Sequence, residues 1–418
     1  MQERGAGEVR SRTDQRRTKL SIIIDIIPSK SFAHRAYLCS ALSDHPSQVI
    51  CRFTSEDIEA TRECVRALRE GESVMECGES GSTLRFLLPV MGALGRRGVF
   101  MTKGRLADRP LSPLREELER HGCRLSPPGT SPVTIEGQLT SGEYVIPGNV
   151  SSQFISGLLT ALPLLKGNST VVIEGPLESS AYVDITTEVL MKFGIGWVKK
   201  ITGDGCCYEI PGGQMYQGPR QYVVEGDWSN AAFWLCAGVI GKEPVTVRGL
   251  RKDSLQGDRR IVDILRDFGA ELRWDGSEIT AFPSRLTGTE VDVSGVPDLA
   301  PVIALAASVA SGRTDINNAG RLRLKESDRL TSVAESMNAL GARVREKKDK
   351  LVIRGSGGAS LIGGYVKSWG DHRIVMMEAM ASLVCEHKVI IRGKEAVSKS
   401  WPGFFQELER AGLAGNLK

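Results

Sequence analysis

Four short clusters in this chain gather cations, acids and hydroxyls within about one helical turn, and their shared chemistry is anion binding. Lys325 and Arg329 stand four residues apart with Glu326 between them, and Ser327 or Asp328 can cap the helix that follows. Gly370-Asp371-His372-Arg373 opens the apolar run from Ile374 to Val384, placing a His and an Arg at a helix start. In Pro28-Ser29-Lys30-Ser31-Phe32-Ala33-His34-Arg35, Lys30 and Ser31 face a ligand from the helix N-terminus and Arg35 lies a turn further on. The phosphate loop of nucleotide-triphosphate binders, GxxxxGKS/T, is missing there. In Gly78-Glu79-Ser80-Gly81-Ser82-Thr83-Leu84-Arg85, Gly81 lets the backbone approach a ligand closely. Ser151-Ser152-Gln153 offers neutral donors for phosphate oxygens, while Asp227 and Asp298 read as N-caps. Each cluster also has a plainer reading, as a solvated charged turn or an ordinary cap.

The elements that must position these residues repeat. Polar clusters followed by apolar, Ala- and Leu-rich runs begin near Pro28, Glu79, Ser151, Gly226, Pro297 and Trp369, at spacings of 51, 72, 75, 71 and 72 residues. Helix-like segments end before Gly71, Gly122, Gly194, Gly269, Gly341 and Gly412, at spacings of 51, 72, 75, 72 and 71. Glycine just past a helix suits a left-handed C-terminal cap. Two series on one beat predict a unit repeated six times, the first unit short by roughly twenty residues. Each unit reads as strand, helix, strand, helix, strand, with strand-like stretches such as Ala270–Trp274 and Ala342–Arg345. The polar clusters then fall at helix starts, where unpaired N–H groups and the helix dipole favour anions. A ring of such starts makes a receptor for a highly anionic small molecule.

Composition narrows the class. The 418 residues are 41% apolar and 25% charged, as in a soluble globular protein, and no apolar run approaches a membrane span of about 20 residues. A net charge of +4 is too mild to argue for nucleic acid. Nine cysteines without a CxxC pair point to reduced thiols and the cytoplasm, and five scattered histidines speak against zinc. Residues 1–19 read as a disordered basic tail, since Glu3, Glu8 and Asp14 argue against a transit peptide and no apolar core of a secretion signal is present. The six units divide three and three, into domains 28–225 and 226–418. The strand at 20–27 is expected to return to the second half, so that the chain crosses twice between domains and forms a hinge.

Taken in order, PSKSFAHR, GESGSTLR, ADRP, SSQF, SAYVDIT, EGDWS, PDLAP, LKESDRL, GDHR and SKSWPGFF resemble the 5-enolpyruvylshikimate-3-phosphate synthases, a family of enolpyruvyl transferases, from about Pro28 to Phe405. The resemblance implies an α/β fold of two similar domains, each of three repeated α/β units. It also implies transfer of the enolpyruvyl group of phosphoenolpyruvate to the 5-hydroxyl of shikimate 3-phosphate, with loss of phosphate through a tetrahedral intermediate. No cofactor or metal is implied, and a monomer acting on small molecules is expected, with no nucleic acid or membrane partner.

By motif match, Ser31 and Arg35 hold the shikimate carboxylate, and Ser151, Ser152, Ser179 and Lys325 its 3-phosphate. Gln153 lies between the substrates and Tyr182 against the ring. Lys30, Arg109 and Lys399 take the phosphate of phosphoenolpyruvate, Arg329 and Arg373 its carboxylate, and Gly81 lines that pocket. Asp298 with Lys30 removes the 5-hydroxyl proton, and Glu326 protonates the methylene carbon. Seven cations thus meet two substrates bringing about −5 to −6. Several positions depart from the family pattern: Ile27-Pro28 before Ser29, His34, the stretch Asn317–Arg323, and Gly403. A related transferase acting on a uridine-diphosphate amino sugar uses a loop Cys, and Lys103–Pro110 contains none. A catalytically silent anion- or RNA-binding protein, contacting through the basic tail, is the rival of another class.

Overall fold

The computed structural model describes residues 22–418, so the proposed tail at 1–19 lies outside the described residues. Among the described residues, twelve α-helices alternate in the order of the repeat. They are α1 (Lys30–Leu42), α2 (Glu56–Glu70), α3 (Gly81–Ala93), α4 (Leu114–Arg120), α5 (Ser152–Ala161), α6 (Ser180–Lys192), α7 (Trp228–Ile240), α8 (Ile261–Asp267), α9 (Ala300–Val309), α10 (Arg329–Ala339), α11 (His372–Ala381) and α12 (Phe404–Arg410). Every even-numbered helix stops within two residues of one of the six predicted glycines, each of which has φ between 67° and 99°. A left-handed residue cannot continue a right-handed helix, and glycine takes it without a Cβ clash.

Around each helix pair lies a small sheet. The third unit shows the full pattern: Glu143–Pro147 runs parallel to Ser169–Glu174, which pairs antiparallel with Gly205–Ile210, and Val198–Thr202 forms the edge. The unit therefore ends in a hairpin, one strand more than the sequence reading expected. Parallel pairing requires a crossover helix, whereas the closing strands return directly through a tight turn such as Gly203 at φ 59°. The first unit lacks this hairpin: α2 ends before Gly71 and the chain passes straight into the strand Val74–Gly78. That is where the missing residues of the short first period belong.

Two sheets exchange their first strands. Ile22–Asp25 pairs in parallel with Val245–Arg248 of the fourth unit, and Gln221–Val223 pairs in parallel with Gln48–Ile50 of the first. Buried apolar residues correspondingly form two clusters. One runs from Phe32 to Val224; the other takes Ile24, Ile26 and Ile27 and then Trp228 to Leu413. Helices α7, α9 and α11 are buried almost all round, as their near-continuous apolar sequences require.

The two crossing strands touch. Ser29 N–H donates to Glu225 O at 2.7 Å and Asp227 N–H to Ile27 O at 2.9 Å. The Asp227 carboxylate accepts from Asn230 N at 2.7 Å and from Lys30 N at 3.1 Å, so one side chain caps a helix in each half. Gln256 donates to Glu225 and Gly226 and accepts from Ser29 Oγ and Trp228 N, closing the crossing with side-chain bonds. Gly226 is needed here, because a Cβ would stand 2.4 Å from Gly249 O.

Candidate active site

Between the halves lies a cavity of about 170 Å³, lined by the first turns of α1, α3, α5, α6, α10 and α11 and by the 3-10 turn that precedes α9. The start of α7 is absent from it: Asp227 and Trp228 are spent on the crossing, so the expected ring of six helix starts closes without that one. Asp298, read from sequence as an N-cap, sits inside the 3-10 turn Pro297–Leu299 and caps nothing. Its carboxylate instead accepts from Arg329 at 2.6 Å, Arg373 at 3.2 Å and, across the cleft, Tyr182 Oη at 2.9 Å, with Lys325 Nζ at 3.4 Å.

Arg329 is 1% exposed and shared by three carboxylates, Asp371, Asp298 and Glu326, each at 2.6–2.7 Å. The charges decide the protonation states. Burial opposes ionisation of Asp298, but Arg373, Lys325 and Arg329 together outweigh it and hold its carboxyl well below the usual range. Burial likewise opposes ionisation of Glu326, and the Arg329, Arg109 and Lys325 charges reverse the balance. For Tyr182, burial and then the Asp258 and Asp298 charges push the phenol well up, which keeps it a donor to Asp298.

On the opposite wall the cations are less matched. Lys30 Nζ bonds Asp57 at 2.7 Å. Arg35 is buried and donates only to neutral oxygens: Thr186 Oγ1, Ser156 Oγ, Ser31 O and Tyr182 O. Arg85 donates to Gln153 Oε1 at 2.6 Å and Pro110 O at 3.1 Å, and burial together with the nearby Arg109 charge pushes it down to about 9. Both arginines crowd Gly81, whose Cβ would lie 2.8 Å from Arg109 Nη1 and 3.3 Å from Arg85 Nη1. Neither makes an ion pair among the described residues, and the Nε of each is buried without a partner. Burying cations without counter-charge is costly, so this corner is built for an anion.

In total eight cationic side chains face three carboxylates around the cavity, a formal surplus of five. Ser151, which caps α5 through Gln153 N, and Ser152 add hydroxyls at a helix N-terminus. Ser179 is held left-handed at φ 55°, a conformation costly for a non-glycine residue and frequent at functional sites.

Every sequence-predicted site residue lines this cavity except Lys399: Lys30, Ser31, Arg35, Gly81, Arg109, Ser151, Ser152, Gln153, Ser179, Tyr182, Asp298, Lys325, Glu326, Arg329 and Arg373. Lys399 is drawn aside to Glu79 and to Gly370 O at 3.0 Å. The sequence reading gave no site role to Asp57, Arg85 and Arg321, and noted His372 only as part of a helix-start cluster; all four also line it. Arg85 lies inside a quoted motif, one turn after Gly81, and helical spacing was its signal. His372 is 3% exposed with both ring nitrogens unpartnered, and burial with the Lys30 and Arg373 charges keeps it neutral. Asp57 and Arg321 come from elements that only the tertiary fold brings in.

The chain is similar to known proteins over most of its length. A family model described as EPSP synthase (3-phosphoshikimate 1-carboxyvinyltransferase) matches residues 69–408. The chain is 43% identical to a 3-phosphoshikimate 1-carboxyvinyltransferase of Clostridium kluyveri, over 94% of this chain and 96% of that one. It is 40% identical to the protein of the same description in Clostridium acetobutylicum, over 93% and 94%. Among solved structures it resembles an EPSP synthase from Acinetobacter baumannii, with TM-score 0.75, 26% identity and coverage of 94% and 95%. The enolpyruvyl transferase NikO from Streptomyces tendae shares the fold at TM-score 0.72 and 17% identity, over 93% and 94%.

Proposed function

The chain belongs to the EPSP synthase family, a family of transferase enzymes in aromatic amino-acid biosynthesis, and we propose that it joins phosphoenolpyruvate to the 5-hydroxyl of shikimate 3-phosphate and releases phosphate. The observation that carries this reading is the cationic surplus of the cavity, concentrated where Arg85 and Arg109 flank Gly81 without an ion-paired acid among the described residues. Two substrates, each with a phosphate and a carboxylate, supply that counter-charge.

In this reading the hydroxyl oxygen bonds to C2 of phosphoenolpyruvate while C3 takes a proton, giving a tetrahedral carbon that carries both substrates. Loss of a proton from C3 and departure of phosphate from C2 then restore the double bond. Glu326 serves C3, and Asp298 with Lys30 accepts the hydroxyl proton. Arg329 and Arg373 hold the phosphoenolpyruvate carboxylate; Lys30 and Arg109 hold its phosphate, and Lys399 joins them on leaving Glu79. Ser31 and Arg35 take the shikimate carboxylate, with Ser151, Ser152, Ser179 and Lys325 on its phosphate. Positioned acid–base help contributes about 10²–10⁴-fold, and fixed cations around the leaving phosphate add electrostatic stabilisation.

The ion-pair network supports a division of labour. With no substrate anion, Arg329 and Arg373 bind Asp298 and Glu326 and keep them ionised and weakly basic. A substrate carboxylate competing for those guanidinium groups releases both acids and lets burial raise them towards a range useful for proton transfer. We place the enzyme in the cytoplasm as a monomer, its two halves at 28–225 and 226–418 closing over the substrates; the nine unpaired cysteines support a reducing compartment. Phosphate release with both substrates, compared with each alone, tests the function. Release that needs both is expected, and none with both present rejects the reading.

A further inference from the structure

Arg321 is a cavity-lining cation for which neither the motifs nor the reaction has provided a role. It lies in the 3-10 turn Gly320–Leu324 of the second half, yet all its partners are in the first. One terminal nitrogen donates to Glu178 Oε2 at 3.0 Å and to Ser179 Oγ at 3.3 Å, the other to Val150 O at 3.1 Å. We infer that Arg321 is a further ligand of the substrate's phosphate ester, and that Glu178 is the carboxylate this phosphate displaces. The inference rests on the reading of Ser151, Ser152, Ser179 and Lys325 as the phosphate subsite.

Three features of the contact carry it. Ser179 Oγ and Arg321 are already within hydrogen-bond reach of each other, so an oxygen accepting from the serine lies within reach of the guanidinium too. Of the other groups in that subsite, only Lys325 is charged, and Asp298 shares its ammonium at 3.4 Å. A phosphate dianion there is under-neutralised without a second cation, and a guanidinium fork matches its oxygens. Glu178, finally, does not line the cavity, and its side chain is 33% exposed. Once released it is solvated at little cost, while Val150 O keeps the guanidinium in place through its other nitrogen. Because Val150, Glu178 and Ser179 belong to the half opposite Arg321, the exchange happens only when the halves are together. Binding of the phosphate ester and closure are thereby tied to one side chain.

The ordinary alternative is a clasp that simply holds the halves, and the two ideas differ in sign. If Glu178 competes with phosphate, Glu178→Gln lowers the KM for shikimate 3-phosphate, by about two- to fivefold, while Arg321→Gln raises it by about ten- to fiftyfold, more than it changes the KM for phosphoenolpyruvate or kcat. Arg321→Lys recovers part of the loss. If the pair is only a clasp, both neutral variants shift KM in the same direction, and that outcome overturns the inference. An unchanged KM for shikimate 3-phosphate in Arg321→Gln also overturns it. The Glu178→Gln measurement decides on its own should Arg321→Gln fold poorly. Wild-type protein that turns over neither substrate marks a different failure, that of the proposed reaction itself.

Discussion

Glu378 offers a test of how this interior handles charge. It sits on α11, fully buried, five residues beyond Arg373. Oε1 accepts from Ser336 Oγ at 2.7 Å, and Oε2 is buried without a partner. Burial pushes the carboxyl up from its ordinary 4.5 to about 8, with the Ser336 bond opposing only part of the rise. Below pH ~4.5 both folded and unfolded chains carry the proton, and this group imposes no penalty. As the pH rises towards 8 the unfolded chain ionises while the folded one does not, so stability falls by about 1.4 kcal/mol per pH unit and levels off above pH ~8. From pH 5.5 to 7.5 the loss is about 2.5 kcal/mol. With a urea dependence of roughly 2 kcal/mol per molar, the unfolding midpoint moves down by about 1 M. Glu378→Gln removes this titration. The midpoint of the wild type should therefore drop about 1 M further than that of the variant over the same pH interval. Tryptophan fluorescence is a suitable probe, because Trp228, Trp234, Trp274, Trp369 and Trp401 all belong to the cluster containing α11 and only Trp197 to the other. Parallel pH profiles for the two proteins would refute the assignment of a buried, neutral carboxyl.

Other expectations concern the cavity. Glu326→Gln should cut phosphate release by about 10²–10⁴-fold with both KM values within a few-fold of wild type; a variant that turns over normally removes Glu326 from the proton transfers. Asp298→Asn strips the charge that Arg329, Arg373 and Lys325 share, and should destabilise the substrate-free protein by about 3 kcal/mol, part of it recovered in thermal melts by added inorganic phosphate. A melting curve insensitive to both changes contradicts the network. In Gly81→Ala the new methyl meets Arg109 Nη1 at 2.8 Å and displaces the guanidinium, so the KM for phosphoenolpyruvate should rise about tenfold while that for shikimate 3-phosphate moves little. Equal shifts in the two constants would place Gly81 elsewhere.

Much of the fold was legible because the repeat is written in local backbone chemistry. The left-handed glycines at 71, 122, 194, 269, 341 and 412 announce helix ends without reference to the rest of the molecule. Ser80, Ser151, Asp227, Asp328 and Asp371 announce helix starts in the same way, each accepting from a backbone N–H two or three residues on. The extra hairpin strand was harder to see: Val198–Thr202 is exposed along its whole length and carries no alternation. The return of the first strand to the second half was expected from its place ahead of the first unit, but its partner Val245–Arg248 lies more than two hundred residues away, and the reciprocal pairing of Gln221–Val223 with Gln48–Ile50 leaves no local trace. The site follows the same division. Residues inside helix-start motifs reached the cavity as expected, whereas Arg321, which projects across the cleft, and Lys399, which turns back to Glu79, have positions set by contacts between halves.

The paired crossing also fixes what kind of motion the halves can have. A single tether allows one body to swing, twist and slide against another. Two strands crossing side by side, bonded to each other at Ser29–Glu225 and Ile27–Asp227, behave as two pins on one plate. Twisting would stretch one strand against the other, and sliding would break the cap that Asp227 shares between α1 and α7. What remains is rotation about the line through the crossing, a single degree of freedom. The molecule is a door rather than a clamp, with the register between its two walls set at the jamb.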